Sequence, residues 1–267
     1  MRVYANLSTS KSDTGLYLPY ITAIRQYLDV VDDLYDADVA LLMGAWSYRL
    51  SRVASRARRI GVPCVMIPLG DLSVWNRTHP HSSRLLQRCF YQVGMARKSE
   101  CLIATTPMEK ENLVALAWNE DVRLVRYPLY TRMTNDQLMT DGLRVISESV
   151  LQTFEERRET QVAGMTDNAI CQQILRISLR MPHRNIPREY LDRLHAMLLA
   201  DDYDEDVLAA EMDKLRLSPF AAALFHVMRE QTGLTEGFMP IPDKKGKLVK
   251  RIQGYLRDAD DKRTPYI

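Results

Sequence analysis

Cysteine is scarce in this chain, and its four copies are scattered. They stand at positions 64, 89, 101 and 171 of a 267-residue sequence, and no two of them form a C-x-x-C pair. Such spacing disfavours a disulfide framework. Cys64 and Cys101 fall inside predicted strands, so we expect both to be buried, reduced thiols.

Long apolar runs and an excess of one charge are also missing. No window approaches the roughly 18 apolar residues that a membrane-spanning helix needs, and the first residues lack the apolar core of a signal peptide. We therefore expect a soluble, cytoplasmic protein without a transmembrane segment. The formal net charge is only +2, so global electrostatics indicate no particular partner.

The short motifs of several enzyme classes are absent as well. The chain contains neither G-x-G-x-x-G, nor a Walker A sequence, nor a G-x-S-x-G nucleophile elbow. His79 and His81 flank Pro80, but no Cys, Asp or Glu lies at a useful ligand spacing. His183, His195 and His226 show no partner pattern. The sequence therefore predicts no catalytic residue, no metal site and no cofactor.

What the chain does have is a first half in which strands and helices alternate. Short Val-, Ile-, Leu- and Ala-rich segments at 2–7, 38–43, 63–68, 101–105 and 122–126 alternate with helical patterns near 16–28, 47–60, 82–98 and 107–118. Apolar strands without strict alternation are typical of a parallel sheet buried on both faces. The pattern predicts an α/β class protein with a Rossmann-like, mostly parallel sheet over residues 1–130.

The second half has a different periodicity. After Pro128 only helical patterns remain, near 136–162, 166–180, 187–200, 204–216, 218–231 and 245–258. Ser218 and Pro219 are typical of a helix cap followed by the first helical residue. The residues that follow, Phe220–Phe225, are apolar on most sides and predict a central helix. We expect residues 131–267 to form an all-helical domain.

One stretch of the first half resembles a known family. Strand 38–43 ends in a loop with Trp46 and Ser47, and a helix then leads to a second strand and loop. The amino-acid sequence of residues 36–127 resembles the acceptor domain of family-4, GT-B type glycosyltransferases. The residues that match the motifs of that family, in the same order, are Gly44, Trp46, Ser47, Gly61, Pro63, Val65, Pro68, Gly70 and Trp75. Leu69 stands where that family has a histidine near the transferred sugar.

The resemblance implies a function without catalysis. In the family, sugar transfer takes place between the acceptor domain and a second Rossmann-like domain that binds the donor nucleotide. Residues 131–267 of this chain instead have helical sequence patterns. We therefore expect a glycosyltransferase-like protein that binds a glycan or a partner glycosyltransferase as an accessory subunit in polysaccharide or glycan synthesis. Two alternatives stay open: an active split glycosyltransferase completed by a partner chain, and a helical module for protein or nucleic-acid interaction on a Rossmann scaffold.

Candidate ligand-binding residues follow from both arguments. Parallel sheets bind ligands at the carboxyl ends of their strands, and aromatic rings with carboxylates are what carbohydrate recognition needs. The alternative is that the two tryptophans only pack the loops and that the first loop binds nothing. The candidates are Ser12, Asp13, Gly15, Trp46, Asp71, Trp75 and Asn76.

Two basic segments have simpler explanations than nucleic-acid binding. Arginines at 49, 52, 56 and 59 share one face of a helix whose other face is apolar, which is typical of a solvated helix surface. Near the C-terminus, lysines and arginines flank an apolar stripe of Leu248, Ile252, Tyr255 and Leu256. A helix docked through that stripe is one interpretation, and a basic arm for nucleic acid, an anionic membrane or an acidic partner is the other. The sequence carries no strong nucleic-acid signal, and it does not determine the oligomeric state.

Overall fold

A parallel sheet organises the first half of the chain, as a computed structural model of the protein shows. The structure describes residues 1–7, 14–74, 88–126, 136–200 and 203–257. The sheet strands are β1 (Arg2–Leu7), β2 (Asp29–Val30), β3 (Val39–Met43), β4 (Cys64–Ile67), β5 (Cys101–Ala104) and β6 (Val122–Leu124). Their order is β2-β1-β3-β4-β5-β6, and every neighbouring pair is parallel.

Helices cover both faces of this sheet. They are α1 (Thr14–Tyr27), α2 (Tyr48–Ile60), α3 (Val93–Arg97), α4 (Pro107–Leu116) and the long α5 (Asp136–Met165). On one face, α1 and the first half of α5 bury apolar side chains such as Ile24 and Leu143. On the other face, α2, α3 and α4 bury side chains such as Leu50 and Leu113. The α/β Rossmann-like class predicted from the sequence is therefore confirmed.

The edge of the sheet that matters for ligands is fixed by this strand order. The chain goes from β1 outward to β2 and then returns to the other side of β1 to form β3. The direction of winding therefore reverses between β1 and β3. In doubly wound sheets the crevice at such a reversal lies outside the carboxyl ends of the strands and is the usual ligand position.

The remaining helices form a second unit. The chain divides into two compact units, Met1–Glu155 and Glu156–Ile267, whereas the sequence analysis placed the change at residue 130. The division lies within α5 because its first half packs on the sheet, through side chains such as Met139 and Val150, while Val162 belongs to the helical core. The second unit contains α6 (Ala169–Arg180), α7 (Arg188–Ala200), α8 (Glu205–Lys214), α9 (Ser218–Thr232) and α10 (Lys247–Tyr255).

Helix α9 is the centre of the second unit, as its apolar sequence predicted. Every residue from Ala221 to Met228 is buried. Two short strands, β7 (Ile186–Pro187) and β8 (Leu256–Arg257), pair in parallel in the same unit. The start of α9 corrects one expectation: Ser218 is the first helical residue, and the cap position belongs to Leu217, which makes no side-chain cap hydrogen bond. Ser218 instead donates its hydroxyl hydrogen to Asp213 of α8.

None of the helices that the structure describes is long and apolar enough to cross a membrane. The cytoplasmic location expected from the sequence remains a prediction.

Candidate functional site

The structure describes three of the seven site residues that were predicted from the sequence. The other four, Ser12, Asp13, Trp75 and Asn76, lie outside the described residues. Gly15 lies in the first turn of α1. Trp46 and Asp71 follow β3 and β4 respectively, and the structure brings these two together.

The loop after β3 is fastened to the loop after β4 by two hydrogen bonds. The indole Nε1 of Trp46 donates to the backbone oxygen of Asp71 over 2.8 Å. The backbone nitrogen of Ala45 donates to Asp71 Oδ2, also over 2.8 Å. Asp71 therefore fixes the Trp46 loop with both its main chain and its carboxylate, and the single N–H of the indole is already satisfied.

A short π-helical turn, Arg88–Gln92, supports the same loop from the α3 side. The backbone nitrogen of Trp46 donates to Gln92 Oε1 over 2.7 Å, and the Tyr91 hydroxyl donates to the Trp46 carbonyl over 3.2 Å. Gln92 is fully buried. Its Nε2 has no hydrogen-bond partner in the part of the chain that the structure describes.

Glu109 connects the loop after β4 to the end of β5. Its Oε1 accepts from the backbone nitrogen of Gly70 over 2.7 Å. Its Oε2 accepts from both the backbone nitrogen and the hydroxyl of Thr105, over 2.8 and 2.7 Å. The side chain of a residue that is only 7% exposed thus receives three donors. We refer to Ala45, Trp46, Gly70, Asp71, Gln92, Thr105 and Glu109 together as the edge network.

Two residues in these loops adopt a backbone conformation that L-amino acids avoid. Trp46 has φ of 58° and Leu69 has φ of 54°, and neither is a glycine, asparagine or aspartate. A bulky side chain in the left-handed region costs roughly 1–2 kcal/mol, so the surrounding hydrogen bonds must hold it there. The same left-handed φ also occurs at Ala117, Arg184 and Arg216, which follow helical turns, so the conformation does not by itself mark a ligand site.

Aromatic rings lie beside the edge network. Tyr48, the first residue of α2, is 65% exposed. Its ring meets that of Tyr91 edge to face, with the ring centres 5.9 Å apart. Burial raises the pKa of Tyr91 above its usual value, and its hydroxyl donates to the Trp46 carbonyl. The partly buried ring of Trp46 packs next to this pair against the core of the α2 face.

The chemistry of this edge is that of recognition. It combines aromatic rings with carboxylates, a buried amide and a phenol. Within the described ranges, no three His, Cys, Asp or Glu side chains are grouped in a way that could hold a metal ion. Cys64 and Cys101 lie in the sheet, and burial raises the pKa of each thiol to about 12, which leaves them as inert packing groups.

Four members of the site were not among the candidate residues. Tyr48 and Glu109 end two of the segments expected at the strand ends, 44–48 and 105–109, but were not singled out, whereas Tyr91 and Gln92 lie outside those segments. A signal for Glu109 was present, because Thr106-Pro107-Met108-Glu109 has the spacing of a capping box. In the structure Thr106 caps α4 by accepting from the Glu109 nitrogen over 3.1 Å, while the Glu109 carboxylate turns to the neighbouring loop. No local pattern marks Gln92.

The comparisons with known proteins add nothing to this geometry. The chain matches no protein-family model, no curated protein sequence and no solved structure. The resemblance to family-4 glycosyltransferases therefore remains a prediction from the sequence.

Proposed function

We propose that this chain is a glycosyltransferase-like protein that binds a glycan at the carboxyl ends of β3, β4 and β5 and does not transfer sugar by itself. The observation that carries the proposal is the pairing of the exposed Tyr48 ring with Tyr91 beside the edge network. In this view the protein is an accessory subunit in polysaccharide or glycan synthesis.

The aromatic and polar groups at this edge match the two kinds of surface that a sugar presents. A pyranose ring presents C–H groups on its faces, which pack on aromatic rings, and hydroxyl groups at its rim, which need acceptors and donors. Tyr48 offers an exposed ring. Tyr91 offers a second ring, and because its hydroxyl hydrogen is donated to the Trp46 carbonyl, its phenol oxygen can serve a ligand only as an acceptor. Asp71 is a half-buried carboxylate in the same region. Few but fixed polar groups around apolar walls are the usual composition of a small-molecule site.

Rigidity supports the same proposal. The described residues directly after β3, β4 and β5 are held by the hydrogen bonds of Asp71, Gln92 and Glu109. A ligand that binds to loops already in their final conformation does not have to offset the entropy of ordering them.

The charges at this edge argue for binding rather than transfer. A glycosyl donor leaves a nucleotide diphosphate behind, and its negative charge must be stabilised by cations or by amide donors. Asp71 and Glu109 instead contribute two carboxylates to the edge network. Leu69, whose side chain is apolar, stands in the position of the histidine of the resembled family.

The test is a glycan-array screen with the full chain, followed by titration of the strongest glycan into a Tyr48→Ala variant. The ring of Tyr48 is exposed, so its removal leaves the fold intact, and we expect the affinity to fall about five- to tenfold for the loss of roughly 1 kcal/mol of ring contact. The matched control is Phe238→Ala, which removes another partly exposed aromatic ring, 42% accessible, from the second unit.

The two variants separate the possible outcomes. Weaker binding by Tyr48→Ala together with unchanged binding by Phe238→Ala supports the proposal. Equal binding by Tyr48→Ala and the unsubstituted chain, or an array on which no glycan binds, contradicts it.

A further inference from the structure

A cavity of about 520 Å³ lies in the second unit, apart from the edge network. Its walls are the first turns of α9 and α10 and the segment 241–246 that leads into α10. The volume falls within the roughly 300–1,000 Å³ of small-molecule sites.

The floor of this cavity is apolar and made of small side chains. Ala222 and Ala223 of α9 are buried beneath it, and Pro219, Ile241 and Leu248 complete the surface. A flat or compact apolar group can therefore lie against this floor and remove its carbon atoms from water.

The rim of the cavity is basic. Lys244, Lys245 and Lys247 all line it, and all three are exposed. None of the three makes an ion pair with another side chain among the described residues. Three ammonium groups around one apolar floor match a ligand with one strongly anionic end.

The start of α10 has neither a side-chain cap nor an acidic residue. The cap position is Gly246, which has no side chain to accept from the first N–H groups, and the first turn contains no acidic residue. Lys247 is instead the first helical residue. Cations at the positive end of a helix are unfavourable, and an anion there is favourable.

The segment that carries the lysines is held in place from below. The Lys244 nitrogen donates to the Ala222 carbonyl over 3.0 Å. The preceding residue, Asp243, accepts from His226 of α9 and pairs with Arg229 over 3.0 Å. The sequence alone showed no partner for His226, because Asp243 lies 17 positions further along the chain. The carboxylate of Asp243 is thus occupied by these two side chains, and the backbone under the lysines is preset.

The α9 side of the cavity is less suited to an anion. The Ser218 hydroxyl donates to Asp213, so a carboxylate already lies near the first turn of α9. The anionic end of a ligand is therefore directed to the first turn of α10, and its apolar part to the floor.

We propose that this cavity binds a small organic phosphate, with the phosphate at Lys245, Lys247 and the free N–H groups of the first turn of α10, and with an apolar part on Ala222 and Ala223. This site is separate from the glycan site proposed above and does not depend on it. The phosphate gains charge-assisted hydrogen bonds from the lysines, and the helix start gains the anion that its sequence lacks.

The experiment titrates phenyl phosphate into the full chain by calorimetry, with inorganic phosphate and phenol as partial ligands. We expect phenyl phosphate to bind more tightly than either partial ligand, because only it uses both the rim and the floor. In a Lys245→Ala/Lys247→Ala variant we expect its affinity to fall by at least about tenfold. The matched control, Lys250→Ala/Arg251→Ala, removes the same charge from exposed positions of α10 that do not line the cavity.

Each outcome decides the proposal. Binding that is weakened in the Lys245/Lys247 variant and kept in the Lys250/Arg251 variant supports it. Equal weakening in both variants assigns the effect to general positive charge and overturns the proposal. A dissociation constant above about 1 mM for phenyl phosphate also overturns the proposal. The same holds if phenol binds as tightly as phenyl phosphate. Because all four substituted side chains are exposed, a thermal melt of each variant is expected to match that of the unsubstituted chain.

Discussion

Glu109 is the residue on which the geometry of the candidate site depends most. A carboxylate that is 7% exposed is costly to bury unless its lone pairs are satisfied. Here the compensation comes from Gly70 and Thr105, which lie on two different loops. One buried charge therefore holds together the chain segments after β4 and β5.

Replacing Glu109 by Gln tests this role. The amide is close in shape but has only one acceptor atom, so one of the two loops faces an N–H group instead of an oxygen. We expect the free energy of unfolding to fall by about 2 kcal/mol, the typical result of leaving buried donors unpaired. Urea unfolding followed by circular dichroism measures the change. The control is Glu111→Gln, at an exposed position of the same helix, which is expected to change the free energy of unfolding by no more than about 0.5 kcal/mol. Similar losses of stability in both variants would contradict the role assigned to Glu109.

Residue types and spacing predicted part of this site, and long-range contacts determined the rest. Trp46 and Asp71 were identified because each follows an apolar strand, and parallel strands end at one edge. The sequence could not tell that the Trp46 indole donates to Asp71, since this contact spans 25 positions. Gln92 was missed for the same reason, because its partner is 46 positions away.

Whole elements were more predictable than their contacts, because periodicity is a local property. The five predicted strands and most helices lie within a few residues of their observed bounds. The exceptions have physical causes. Strand β2 contains only Asp29 and Val30, too few residues for any repeat to appear. Of the helix expected over 82–98, residues 82–87 lie outside the described residues, and the rest forms a π-helical turn at Arg88–Gln92 followed by α3. A π turn differs from an α turn by one residue, which a hydrophobic pattern does not resolve.

The two basic helices illustrate what amphipathicity can establish. On α2 all four arginines at 49, 52, 56 and 59 are exposed, while Leu50, Ala54, Ala57 and Ile60 are buried. This confirms that the helix is amphipathic, and the interpretation of its basic face as a solvated surface stays a prediction. On α10, Val249 and Ile252 are buried, and Leu248, Tyr255 and Leu256 pack against the core of the second unit. The apolar stripe of the C-terminal segment is therefore docked on its own unit.

A substitution at Ile252 measures how much the docking of α10 contributes to the free energy of unfolding. Its side chain is completely buried in the helical core, so Ile252→Ala removes three carbon atoms from that core and leaves a cavity. We expect the free energy of unfolding to fall by about 2–4 kcal/mol, and by about 0.5–1.5 kcal/mol for Ile252→Val. Lys250→Ala, on the exposed face of the same helix, serves as the control with a change near zero. An Ile252→Ala protein as stable as the control would indicate that the helix is a free basic arm.

At the scale of the whole molecule, the chain joins a Rossmann-like unit to a helical one. The sequence predicted both kinds of architecture but placed the change at residue 130, because the strands end there. The structure divides the units at Glu155–Glu156, since a helix that starts a new pattern still packs on the old sheet through Met139, Leu143 and Val150. Which surface a helix covers is a tertiary property that hydrophobic spacing alone does not report.

This combination of units leads to the last prediction, which concerns catalysis. Transfer from a nucleotide sugar needs cations or amide donors on the leaving diphosphate, and losing even one such donor slows known enzymes about 10²–10³-fold. The side chains of the edge network include two carboxylates, Asp71 and Glu109, and the second unit is built from helices α6 to α10. We therefore expect the purified full chain, incubated with UDP- or GDP-sugars and the glycan from the array, to release no nucleotide above the level of a buffer blank. A coupled assay for UDP and GDP release measures this. The Asp71→Asn variant, which keeps an acceptor for Ala45 but removes the charge, distinguishes turnover by this chain from turnover by a contaminating enzyme. If nucleotide release is saturable with the unsubstituted chain and changes in Asp71→Asn, the chain itself transfers or hydrolyses sugar. The accessory role would then be wrong.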